Sequence, residues 1–256
     1  MDWDLAGIVD AAAEALRAEA ARLDDEQSPF GIDALDELRV HPLLRNAFAA
    51  AGYTALSEQR FPGHRGRARR SEGDRCDLVL LDPGHESLED PLADPALFQP
   101  PGAAPESACW IEVKLVSQFK VIDGEARPNR GYTSQLLQAA TADIRKLMND
   151  ERIRAGGLLL VMFTQSDEAA EHDLDVWVNR CITKGLSIPT PVRRGFAVTD
   201  RIGNCWCETA LASGRGHEKT PAATSREGVG RDGSRARREP THCSGWAGDM
   251  RTARHA

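Results

Sequence analysis

The 256-residue chain is 41% hydrophobic, enough for one sizeable core, and carries a formal net charge of −7. Spread evenly, that charge would repel a polyanion, so a nucleic-acid partner would need a local basic region. No apolar run approaches the roughly 18–20 residues of a bilayer span, and the acidic opening MDWDLAGIVD is unlike a signal peptide, so a cytoplasmic chain with no membrane partner is expected.

The opening segment sets Leu5, Ile8, Val9, Ala12, Leu16 and Leu23 at helical spacing, which predicts an amphipathic helix within residues 1–30 that ends before Ser28-Pro29. A second helix is predicted over roughly Asp33 to Ala51, with Leu35, Leu38, Leu43, Leu44, Ala47 and Phe48 apolar, Pro42 as a first-turn residue and Gly52 as the C-terminal cap. From Tyr53 the period becomes strand-like, giving strands at Tyr53 to Phe61, Cys76 to Asp82 and Cys109 to Val116, with a proline-rich, acidic loop over Pro83 to Ser107. A long helix near Thr133 to Arg152 carries the stripe Leu136, Ala140, Ile144 and Leu147, and Gly156-Gly157 is read as its end. The unbroken run Leu158 to Phe163 suits a central strand covered on both faces. A helix with Ala170, Leu174, Trp177, Val178, Cys181 and Ile182 on one side stops at Gly185, and short strands near Gly195 to Thr199 and Asn204 to Thr209 finish the domain. The fold class is therefore α/β, a mixed central sheet flanked by helices, over residues 1–212.

Residues 213–256 contain no Leu, Ile, Phe or Tyr and hold eight arginines and one lysine against five acids. Such a segment cannot offset its ordering entropy by burial and is expected to be a disordered basic tail. Nucleic-acid binding, or a change of reading frame at the end of the gene, are the other readings of its composition. The six cysteines (Cys76, Cys109, Cys181, Cys205, Cys207 and Cys243) are scattered, and no second pair or histidine cluster completes a zinc set with Cys205 and Cys207.

In the strand CWIEVKLV, alternation turns Trp110, Glu112 and Lys114 to one face, while RCDLVLLD brings Asp77 to the edge of an apolar run. If the two strands pair, a carboxylate from each meets at one end of the sheet, a set suited to Mg²⁺ (or Mn²⁺) beside a substrate phosphate. An acid on one strand followed by Glu-x-Lys on the next resembles the PD-(D/E)XK nuclease superfamily. Asp77 matches its first acid, Glu112 its second and Lys114 its lysine, while Cys76 stands where the motif name has proline. The order of elements from about Asp33 to Thr199 also resembles the restriction-endonuclease-like α/β/α sandwich.

The resemblance implies Asp77 and Glu112 as metal ligands, Lys114 as the group acting on water or on developing charge, and a further acid from Glu58 or Glu37. It also implies that polar residues of the following helix, Gln135 and Lys146, could serve the metal site or a phosphate. The arginines of RFPGHRGRARRSEGDR, among them Arg65, Arg67, Arg69, Arg70 and Arg75, lead into Asp77 and are read as phosphate contacts beside the site. His41, His64, His85 and His172 lack ligand-like spacing and read as surface or capping residues. Trp110 fits either packing under a helix or stacking on a base. The expected function is an Mg²⁺-dependent nuclease, an endonuclease on DNA in the first instance. Specificity would come from a homodimer or a partner subunit. The alternative is a nucleic-acid-binding or assembly protein that keeps the fold without turnover. No Gly-rich phosphate loop, nucleophile elbow or zinc motif is present, which weighs against kinase, esterase and ATPase chemistry.

Overall fold

The computed structural model describes residues 3–64, 75–89 and 102–214. These residues belong to one compact unit, Met1–Glu218, and a second unit, Lys219–Ala256, lies outside them. The expected tail from residue 215 on, Cys243, and Arg65, Arg67, Arg69 and Arg70 therefore fall outside the described residues.

Helix α1 (Leu5–Asp25) forms on the predicted stripe: Ile8, Val9, Ala12, Leu16 and Leu23 are buried, and Asp4 caps its start by accepting from the Gly7 N–H. Helix α2 is shorter than the sequence suggests. A 3-10 turn, Ile32–Ala34, precedes it, Asp36 is the N-cap, and the helix proper is Glu37–Ala50. An aspartate at this cap contributes about 1 kcal/mol over alanine, which fixes the start five residues before Pro42. Pro42 thus lies inside the helix and not in its first turn. The buried face is Val40, Leu44 and Phe48, and Leu38, read as apolar core, is 82% exposed.

The described residues form one six-stranded mixed sheet. β1 (Thr54–Arg60), β2 (Arg75–Leu81) and β3 (Cys109–Ser117) form an antiparallel meander. β6 (Ala155–Thr164) then lies parallel to β3, and β8 (Trp206–Ser213) and β7 (Val192–Ala197) add antiparallel strands beyond it. Between β3 and β6 the chain makes a hairpin that the sequence reading did not separate, β4 (Phe119–Ile122) and β5 (Glu125–Pro128), around Asp123-Gly124. Both turn residues have positive φ, as a two-residue hairpin loop requires.

The predicted long helix is a composite. α3 (Tyr132–Ser134) passes through a π-helical stretch, Gln135–Ala139, into α4 (Ala140–Asn149). Gly156 and Gly157 do not end it. They sit inside β6, where a Cβ on Gly156 would strike the Trp110 carbonyl and one on Gly157 the Ala212 carbonyl, so glycine is what lets the strands close. α5 (Asp167–Thr183) buries Ala170, Leu174, Trp177 and Cys181, while Ile182 faces outward.

One core lies between α1, α2 and the Ile111, Val113, Leu159 and Val161 face of the sheet. A second lies under α4 and α5, on Leu158, Leu160 and Met162, and a third gathers Phe61, Val79, Leu81, Trp110, Leu147 and Ile153. All of β6 from Gly156 onward is buried, the position its unbroken apolar run predicts. At roughly 1.5–3 kcal/mol for each fully buried large aliphatic side chain, these three clusters hold the sheet rigid beneath the polar groups at one end of β3. No helix among the described residues is long and apolar enough to cross a membrane.

Candidate metal and phosphate site

The site begins where two strands part. β2 pairs with β3 as far as Leu78 opposite Ile111, and one step further stand Asp77 and Glu112. There β2 stays with β1, through Gln59 opposite Cys76, while β3 continues on β6 alone. The opening leaves the Val113 N–H without a strand partner, and Asp77 Oδ2 accepts its hydrogen bond at 2.8 Å. Asp77 is thereby aimed between the strands, towards Glu112.

Glu112 is 4% exposed. Its Oε1 is buried and has no hydrogen-bond partner. Burial first, and then the neighbouring Asp77 carboxylate, push its pKa up to about 9. Two acids crowded in a low-dielectric place share a proton or favour a cation, because each charge disfavours the other and the lone pairs of one oxygen go unused.

Lys114 lies on the same strand face. Its Nζ is 3.2 Å from Asp143 Oδ2 of α4 and 3.5 Å from Glu37 Oε1 at the start of α2. Burial works against its charge, but Asp143 and Glu37 outweigh it and hold the pKa above the ordinary lysine value. Lys114 is therefore an ammonium and no proton acceptor near neutral pH. Lys146 is 2.9 Å from Asp143 Oδ1, and its charge partly offsets the pressure on Glu112. Glu37, Asp77 and Asp143 thus face Lys114 and Lys146 while Glu112 keeps its proton, and loss of that proton would leave two negative charges for one divalent cation to neutralise.

Glu58, opposite Asp77 on β1, has φ of 53°. A side chain in the left-handed region costs about 1–2 kcal/mol, and such strain gathers at working sites. Its carboxylate, that of Asp77 and the imidazole of His41 place ligand atoms all within 4.8 Å of one another. His41 Nε2 is buried without a hydrogen-bond partner. This corrects the reading of His41 as a surface or capping residue. A hard divalent cation fits the carboxylate oxygens, and an imidazole beside them is a ligand that Mn²⁺ accepts more readily than Mg²⁺ does. Asp77 thus belongs to two groupings, the acid pair with Glu112 and the cluster of possible ligand atoms with Glu58 and His41.

Comparison with family models, with curated proteins and with solved structures finds no match to this chain. The site therefore rests on its own geometry. That geometry puts Asp77 beside Glu112, sets Lys114 against Asp143 and Glu37 and Lys146 against Asp143, and places Glu58 with Asp77, so that both acids offered as alternatives lie near the site. Gln135 sits elsewhere: its Oε1 accepts from Asn129 and it lines a neighbouring cleft. Arg75 is exposed, and its guanidinium donates to the Glu58 carbonyl at 3.0 Å, so it braces the strained residue. Trp110 is fully buried, stacks with Phe61 and donates to the Pro105 carbonyl, which settles it as core and not a base platform.

Sequence reasoning missed Asp143 and His41, and both had a signal. Asp143 falls on the buried stripe between Ala140 and Leu147, where a charge is out of place unless partnered. His41 follows Glu37 by four residues, so both project from one side of α2.

Proposed function

We propose that this chain is a metal-dependent nuclease that hydrolyses phosphodiester bonds, in DNA in the first instance, on a restriction-endonuclease-like fold of the PD-(D/E)XK type. The observation that carries the reading is the buried Glu112 carboxylate beside Asp77, with an unpartnered oxygen and a fixed ammonium, Lys114, on the same face. Further support comes from the element order of helix, three strands, crossover helix and parallel strand. It is the order the resemblance calls for.

Asp77 and Glu112 would hold Mg²⁺ or Mn²⁺, with Glu58 and His41 available to the same cation or to a second one through Asp77. A bound cation of this kind supplies a water of lowered pKa and neutralises charge on the phosphoryl oxygens. In the hydrolysis, a new P–O bond forms from water as the bond to the leaving oxygen breaks, and the water's protons end on the leaving group and solvent. Lys114 would contribute charge, its ammonium standing beside the phosphate where negative charge grows. Asp143 and Glu37 are positioning residues that fix the direction of that ammonium. Homodimerisation or a partner subunit would supply target choice, and a cytoplasmic setting suits the free, buried thiols of Cys76, Cys109, Cys181 and Cys207.

The test is cleavage of supercoiled plasmid and of single strands with Mg²⁺, Mn²⁺ or EDTA, by wild type, Asp77→Asn and Glu112→Gln. Cleavage by wild type alone, and only with metal, is expected. Metal-independent cutting, or equal cutting by the variants, would overturn the assignment.

A further inference from the structure

Beside Asp77 stand two groups that the acid pair with Glu112 does not use, the imidazole of His41 and the carboxylate of Glu58, with ligand atoms of all three within 4.8 Å of one another. Two ligands of one ion at about 2.1 Å each lie at most about 4.2 Å apart, so a cation would draw the three inward by roughly half an ångström at most. All three keep lone pairs to give. His41 Nε2 is buried with no hydrogen-bond partner. The Glu58 carboxylate is exposed and makes no hydrogen bond or ion pair among the described residues, since Arg75 bonds the Glu58 carbonyl instead. Asp77 accepts from the Val113 N–H through Oδ2 and stands against Glu112, and the roughly four lone-pair sites of a carboxylate leave room for a cation besides.

The fold places these groups at a cost. Val40, Leu44 and Phe48 anchor the buried face of α2, which fixes His41, next to Val40, beside the strands. Glu58 interrupts the register of β1 on β2: Ser57 lies opposite Leu78 and Gln59 opposite Cys76, while Glu58 between them turns to a φ of 53°. That turn costs about 1–2 kcal/mol, and an exposed carboxylate without a partner returns none of it. Strain kept in this way points to a group placed for a ligand. The three side chains form a mixed set of one nitrogen and carboxylate oxygens. Mg²⁺ takes oxygen ligands and keeps its waters, whereas imidazole suits the later first-row dications. Asp77 and Glu112, by contrast, offer oxygen alone.

We propose that His41, Glu58 and Asp77 form a metal site of their own, which takes a first-row transition cation such as Mn²⁺, Co²⁺ or Zn²⁺ in preference to Mg²⁺ and fills without Glu112. The inference rests on the nuclease reading for the role of Asp77 and deepens it by naming a cation that the acid pair does not select.

The test reads bound metal and not cutting. Untagged full-length protein is titrated with Co²⁺, whose visible absorption shifts and strengthens when an imidazole displaces water, and the bound ion is then challenged with Mg²⁺. His41→Asn, Glu58→Gln and Glu112→Gln are compared with wild type, and their folding is checked by thermal melts. Glu58 is exposed, so its variant tests the site even where His41→Asn fails to fold. Wild type should bind Co²⁺ that Mg²⁺ displaces only in large excess. His41→Asn and Glu58→Gln should each weaken Co²⁺ binding roughly tenfold or more, and Glu112→Gln should retain it. Unchanged spectra and affinities in both His41→Asn and Glu58→Gln would overturn the site. Loss of Co²⁺ in Glu112→Gln would overturn its independence, with the nuclease reading left standing on the acid pair. Co²⁺ binding that His41→Asn and Glu58→Gln lose, with no metal-dependent cleavage by any protein, would support the metal site and overturn the nuclease reading alone.

Discussion

The carboxylate of Asp77 occupies the place a strand neighbour would fill at Val113, accepting its N–H at 2.8 Å where β2 and β3 separate. One residue therefore serves the fold and the candidate site at once, and two substitutions divide those roles. Asp77→Asn keeps an oxygen for the Val113 N–H, whereas Asp77→Ala leaves that donor unsatisfied. The alanine variant should lose about 1–3 kcal/mol and the asparagine variant less than half as much, measured by urea denaturation. Both should lose metal-dependent cleavage. Equal stability of the two variants would show that the Val113 contact is not what holds the strands at this point.

Glu112 predicts how stability depends on pH and metal. Its folded pKa is raised from an ordinary 4.5 to about 9, by burial and by Asp77. Folding therefore retains a proton that the unfolded chain releases. Glu112 contributes stability that is full below about pH 4.5 and lost as pH rises towards 9, with a slope of at most about 1.4 kcal/mol per pH unit. In EDTA the melting temperature of wild type should fall from pH 5 to pH 9. Glu112→Gln, which keeps the shape without the charge, should flatten that fall and melt higher than wild type near pH 8. Mg²⁺ should then raise the melting temperature of wild type and leave the variant unmoved. Parallel curves for the two proteins, or no response of wild type to metal, would count against a cation at Glu112.

At Glu58 stability and activity should move in opposite directions. With φ of 53°, glycine relieves left-handed strain of about 1 kcal/mol while paying back part of it in chain entropy. Glu58→Gly should melt at or slightly above the wild-type temperature, yet cleave at least tenfold more slowly if this carboxylate serves the cation with Asp77 and His41. A clear drop in melting temperature would mean that the Glu58 side chain itself stabilises the fold.

Much of this arrangement is legible in the chain because strand alternation and helical stripes report which face is buried. β3 turns Ile111 and Val113 into one core and Glu112 and Lys114 away from it, and the apolar run of β6 places it at the centre. What stays hidden depends on tertiary geometry. Pro42 reads as a helix start, yet the Asp36 cap begins α2 earlier, and the lost hydrogen bond falls on an exposed turn. Gly156-Gly157 reads as a helix stop because the closeness of the Trp110 and Ala212 backbones is invisible in one dimension. The π-helical stretch inserts a residue that no apolar spacing announces. Asp123-Gly124 did carry a hairpin signal, but strands of four residues are too short to show a period. The closeness of Asp143 to Lys114 arises only when α4 packs back on β3.

That pairing gives the last prediction. Lys114→Ala should abolish cleavage while nucleic-acid binding stays within about threefold, because the ammonium acts on charge that develops only in the transition state. Asp143 does not face the phosphate in this scheme. It holds Lys114 at 3.2 Å and Lys146 at 2.9 Å, so Asp143→Asn should weaken the hold on both without removing either. The expected result is a fall in kcat of roughly ten- to a hundredfold with KM little changed, the signature of a misaligned group and not of a lost contact to substrate. Asp143→Glu, which restores the charge at a longer reach, should recover part of the rate. A positioning role would be ruled out if Asp143→Asn raised KM and left kcat intact, since the carboxylate would then be acting on substrate binding. If Lys114→Ala cut at the wild-type rate, the site would lose its central residue, and a binding protein that keeps this fold would be the better account.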